Sequence, residues 1–60
     1  MNYTIKLELT NGTTETSSYS TEAEAINVFC LESDKIGSEL SAVFLSRIEN
    51  GIEAPMLSAY

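Results

Sequence analysis

The 60-residue chain has no histidine, no tryptophan, one proline and one cysteine. Each absence removes a class of chemistry. Without histidine no Ser-His-Asp or Cys-His arrangement can be built. Cys30 has no second cysteine to close an internal disulfide and no histidine with which to hold zinc. Three basic residues stand against nine acidic ones, a net charge of −6. That balance opposes direct binding to nucleic acid, which relies on Lys and Arg at phosphates, and binding to anionic membrane surfaces. No segment approaches the ~18 consecutive apolar residues of a membrane span. Apolar and polar residues alternate from Tyr3 onward with no basic stretch ahead of an apolar block, so no signal peptide is expected. The lone thiol fits a reducing, cytoplasmic setting.

What is present is enough for one small domain over residues 1–60. A chain this short buries only about 60% of its unfolded surface, and such scaffolds usually need a staple or association. With disulfide and zinc gone, association is expected.

Tyr3, Ile5, Leu7 and Leu9 repeat at a period of two, the signature of a half-buried strand. Asn11-Gly12 follows, the preferred pair for a two-residue type I′ turn. A second strand, Thr13 to Ser20, folds straight back. A two-residue loop sets Leu9 against Thr14, Leu7 against Thr16, Ile5 against Ser18 and Glu8 against Glu15. Tyr19 then lies on the outer face beside Thr4, unless a bulge near Ser17-Ser18 turns it inward. The second strand reads as a polar edge.

Thr21 with Glu24 three residues on forms a capping box, and Glu22 and Glu24 suit the positive end of a helix. The helix is expected to run to Lys35 or Ile36, with Gly37 at C′. On a helical wheel Ala25, Ile26, Phe29, Cys30, Ser33 and Ile36 share the core stripe. Val28 and Leu31 project from the opposite side as candidates for a second contact.

Leu40 to Glu49 is rich in β-branched and aromatic residues and reads as a strand. Asn50-Gly51 repeats the hairpin signal, and Ile52 to Tyr60 is the last strand. Pro55 puts that strand at a sheet edge. The fold class is therefore α+β: ββαββ, a four-stranded antiparallel sheet in order 2-1-3-4 with one helix on one face. In the second hairpin Phe44 and Leu57 are expected on one face, and Leu45 and Met56 on the other. The face without the helix then carries Leu45 and Met56 toward a partner.

Little in this chain supports catalysis. Cys30 is mid-helix, away from the helix N-terminus that activates thiols. Glu22 and Glu24, like Glu32 and Asp34, sit two apart on a helix and diverge. No loop has the spaced pattern of a calcium site, no Gly-rich phosphate loop exists, and no metal or cofactor is expected. Arg47 is expected to make an ordinary surface ion pair, with Glu49 and the strand opposite within reach. Tyr3, Tyr19 and Tyr60 lack the neighbouring positive charge of a base-stacking platform.

A non-enzymatic protein-binding inhibitor or adaptor is therefore expected, meeting a basic, nucleic-acid-binding protein through Glu22, Glu24, Glu32 and Asp34. In size, acidity and lack of a site, the chain resembles small phage proteins that block host defences, such as anti-CRISPR proteins. That resemblance is one of general character, carried by no motif. It implies action in the host cytoplasm, by surface occupation or DNA mimicry. Two alternatives compete. One is a self-assembling homo-oligomer, most simply a dimer, joined through Val28, Leu31, Leu45 and Met56. The other is a small-ligand binder with a pocket at a subunit interface.

Overall fold

The computed structural model describes residues 2–60. Five elements follow one another: β1 (Asn2–Leu9), β2 (Thr14–Tyr19), α1 (Glu22–Ser33), β3 (Leu40–Glu49) and β4 (Ile52–Ala59). The strands form one antiparallel sheet in the order β2-β1-β3-β4, and α1 packs on one face of it. The expected ββαββ architecture and strand order are both observed.

The two most apolar strands lie side by side at the centre. Ile5 of β1 stands opposite Leu45 of β3, and they are 1% and 0% exposed. Tyr3 and Val43 extend this core along the two strands, and Ala25 and Phe29 of α1 close it from above. Period-two alternation puts these residues on one side, while Lys6 and Phe44 pair on the other.

The first hairpin corrects the expected register by one residue. Tyr3 pairs with Tyr19, Ile5 with Ser17 and Leu7 with Glu15, and Glu8 meets Thr14 instead of Glu15. The loop has three residues. The Gly12 N–H donates to the Leu9 carbonyl at 3.0 Å, and the Leu9 N–H donates to the Thr13 carbonyl at 2.9 Å. Gly12 alone takes the left-handed conformation there, at φ +92°, as in a turn closed by a glycine bulge. The cause is local. The Thr13 N–H and hydroxyl donate to Asn11 Oδ1 at 3.0 and 2.7 Å, an Asx turn that competes with the type I′ geometry. A one-residue slip exchanges the faces of a strand. Here it brings Tyr19 onto the core and turns Ser18, expected beneath the helix, outward with Thr4.

The second hairpin keeps its two-residue loop, with Asn50 at φ 55° and Gly51 at φ 77°, both left-handed as type I′ requires. Glu49 pairs with Ile52 as expected. A bulge between Leu45 and Ser46 then shifts the pairing, so Leu45 faces Leu57 and Phe44 faces Ser58. Met56 is the extra residue and packs against the core. The cross-strand partners are thus shifted by one, while Leu45 and Met56 do share a face; it is the face that the helix covers, not the open one as expected. The bulge adjoins Pro55, which has no N–H for the ladder.

The helix starts at the expected cap, where Thr21 Oγ1 accepts the Glu24 N–H at 3.3 Å. It ends at Ser33, two or three residues early. The Ser33 hydroxyl donates to the Phe29 carbonyl at 2.6 Å, and the Lys35 and Ile36 N–H groups tighten onto Glu32 and Ser33. The Lys35 carbonyl accepts the Ser38, Glu39 and Leu40 N–H groups, each at 3.1 Å, and the chain reverses through Gly37 at φ +96° into β3.

The observed register carries a direct test. Tyr19→Ala is expected to lower unfolding free energy by about 1–3 kcal/mol, and Ser18→Ala to change it by about 0.5 kcal/mol at most. Urea titration of both variants reads the difference. Equal effects would mean that Tyr19 does not face the core.

Candidate functional site

The residues singled out from the sequence fall into three environments. Leu45 is fully buried at the core centre and offers no surface to a partner. Val28 and Met56 are half-buried and pack against the same core. Leu31 alone of the four apolar candidates stands free, 60% exposed. The buried face of the helix centres on Ala25 and Phe29, so the neighbouring stripe takes in Val28 and leaves out Cys30, which is exposed. The expected places of these two residues are therefore exchanged. Both lie at the flanks of the stripe, where the direction of the helix over the sheet decides which is covered.

The four acidic candidates also separate. Glu32 is half-buried and takes the Lys35 ammonium at 3.4 Å, the second short ion pair of the described residues after Lys6–Glu8 at 4.0 Å. Glu22 lies in the first turn, away from the outward side of α1. Glu24 and Asp34 remain. With Asn27 and Leu31 they follow the spacing three, four and three, which places all four along one side of a helix. All four are exposed. The outward stripe of α1 and its C-cap residue Asp34, which keeps helical φ and ψ, is thus Glu24-Asn27-Leu31-Asp34, an apolar side chain between two carboxylates, about 15 Å long at 1.5 Å per residue.

Of the nine carboxylates, only Glu8 and Glu32 enter an ion pair among the described residues, leaving seven. These seven, Glu15, Glu22, Glu24, Asp34, Glu39, Glu49 and Glu53, are all exposed. Arg47 makes no ion pair among the described residues, contrary to the expected surface pair. It stands opposite Tyr3 on one side and Ala54 on the other.

The sheet face turned away from the helix holds a feature the sequence pattern did not single out. The Phe44 and Tyr60 rings meet at a tilt of 49° with centroids 6.2 Å apart, and Lys6 Nζ lies 5.9 Å from the Phe44 centroid. A shallow groove of about 400 Å³ runs here beside Phe44, Ser46, Pro55 and Ser58, between Lys6 and Glu53. The alternation of β3 was the available signal, because it puts Phe44 opposite Val43 and Leu45. A second open groove of about 550 Å³ lies between the first hairpin and the end of α1, lined by Leu7, Glu15, Glu32 and Lys35.

Among the described residues no three His, Cys, Asp or Glu side chains gather as metal ligands. No helix there is long and apolar enough to cross a membrane. No protein-family model matches the chain, and no curated protein or solved structure is significantly similar to it.

The two leucines predict opposite outcomes for one change. Leu31→Asp is expected to leave the far-ultraviolet circular dichroism spectrum and the melting temperature nearly unchanged. Leu45→Asp is expected to abolish folding, because an unpaired carboxylate has no solvent in the core. A folded Leu45→Asp chain would refute the assigned core.

Proposed function

We propose that the protein acts by binding another protein, an inhibitor or adaptor that occupies a basic surface, and performs no catalysis. The observation that carries this reading is the outward stripe of α1, where exposed Leu31 stands between Glu24 and Asp34. An exposed branched apolar side chain serves as an anchor, and flanking carboxylates steer and orient the encounter. The charge balance selects the partner. A net charge of −6 favours a basic surface and opposes a second copy of the same chain. Seven exposed carboxylates outside ion pairs, against Arg47 as the one cation outside them among the described residues, suit a site that otherwise holds phosphates. The partner is accordingly a nucleic-acid-binding protein, as in the anti-defence proteins the chain resembles in general character. Exposed Cys30 suits a reducing cytoplasm.

The reading is tested by affinity capture from bacterial lysate at low and high salt, followed by identification of the bound protein and titration of that protein alone. A nucleic-acid-binding partner is expected, displaced by salt and by competing DNA. Leu31→Asp and the double change Glu24→Lys with Asp34→Lys are each expected to weaken it at least tenfold, about 1.4 kcal/mol. Folding should be intact in both. An identified partner whose affinity survives both changes would exclude the stripe, and recovery of the protein alone would exclude the reading.

A further inference from the structure

We propose that Asn50-Gly51 is a site of spontaneous self-modification, and that the structure protects the second Asn-Gly pair, Asn11-Gly12, from the same reaction. The chemistry needs only water. The deprotonated Gly51 backbone nitrogen attacks Asn50 Cγ, the new C–N bond closes a five-membered imide, and the Cγ–Nδ2 bond breaks with release of ammonia. Water then opens the imide at either carbonyl, leaving aspartate or isoaspartate at position 50. Glycine is the successor residue that hinders this attack least, because it has no Cβ.

The two pairs share a sequence and differ in what holds the reacting groups. At the first hairpin both are engaged. The nucleophilic Gly12 N–H donates to the Leu9 carbonyl at 3.0 Å. The Asn11 carboxamide accepts the Thr13 N–H at 3.0 Å and its hydroxyl at 2.7 Å. The loop itself is tethered to the body, since the Thr10 N–H and hydroxyl reach the Glu39 carbonyl at 3.1 and 3.4 Å. Rotating Asn11 into the reactive geometry breaks these bonds.

At the second hairpin neither reacting group is engaged. Among the described residues no hydrogen bond joins the Asn50 side chain to any partner, and none outside the strand ladder joins the Gly51 N–H to one. The residue after Gly51, Ile52, closes the loop through its strand pairing with Glu49, but its side chain is 70% exposed and does not tie the loop to the core. The product adds one negative charge to the −6 of the chain. In its isoaspartate form it also adds a methylene to the main chain of a two-residue turn, which no longer matches the type I′ geometry.

Cleavage after Lys6, Lys35 and Arg47 separates the sites, since Asn11 falls in the peptide 7–35 and Asn50 in 48–60. The folded protein is incubated at mildly alkaline pH, and each peptide is followed by mass spectrometry for a gain of about one dalton and by isoaspartate methyltransferase labelling. Conversion at Asn50 is expected to run about tenfold or more ahead of Asn11, reflecting the extra hydrogen bonds at the first loop. In denaturant the two rates should converge. Thr13→Val removes the hydroxyl bond to Asn11 and is expected to raise the Asn11 rate several-fold, leaving Asn50 unchanged. Equal native rates, a faster Asn11, or no product at Asn50 while the denatured sample converts would each overturn the proposal.

Discussion

The fold depends on the contact between Ile5 and Leu45 across the β1–β3 pair. Both side chains are essentially sealed from water, and the two strands that carry them are the sheet's central strands. A sheet this small has room for one dry face, and one helix of 12 residues supplies its cover. Phe29 and Ala25 sit over the pair because they are the residues that α1 turns downward. Everything apolar that the chain can spare is drawn to that side. Met56 and Tyr19 reach it from the two edge strands through local irregularities, a bulge in one case and a three-residue loop in the other. Both irregularities serve the same end: each turns an apolar or aromatic side chain toward the single core of a chain that has little apolar surface to spare.

The surface follows from this concentration. Once Val28, Leu45 and Met56 are committed to the core, exposed branched apolar residues become few, and Leu31 on α1 stands out among carboxylates. The helix therefore has two faces of different chemical character. One is packed and silent. The other carries Glu24 and Asp34, neither in an ion pair among the described residues, and the two lysines are already occupied by Glu8 and Glu32. An unbalanced surface of this kind is compatible with solubility on its own. Its combination with an exposed leucine on the same stripe is what the proposed protein contact rests on.

The architecture was legible in the sequence because each element is marked by a pattern longer than a single residue. Alternation over Tyr3 to Leu9, the cap at Thr21 and the apolar run after Leu40 each integrate several side chains. Pro55 and the polar second strand then fix the edges, and the strand order follows. The parts that went astray depend on single-residue differences. The side of the sheet on which Tyr19 lies turns on whether the first loop has two residues or three. Whether Val28 or Cys30 is buried turns on a modest rotation of the helix about its axis. Leu45 was assigned to the outer face, but β3 pairs it with Ile5 of β1, and it lies with Met56 on the side the helix covers. Leu31, Glu24 and Asp34 are exposed as read from the sequence, because they lie far enough from the packed side of the helix that a modest rotation does not cover them.

The two Asn-Gly pairs show why such single-residue differences escape a pattern. The dipeptide favours positive φ at both positions, and at Asn50-Gly51 the chain takes that option. At Asn11-Gly12 the next residue is threonine, whose N–H and hydroxyl both point back to the asparagine side chain. Those two bonds, together with the tether from Thr10 to Glu39 and the burial gained by Tyr19, outweigh the intrinsic preference of the pair. At position 52 the corresponding residue is isoleucine, which has no hydroxyl to offer, so nothing competes with the tight turn. The residue after the glycine decides the loop length, the loop length decides the register, and the register decides which side chains of an entire strand meet the core.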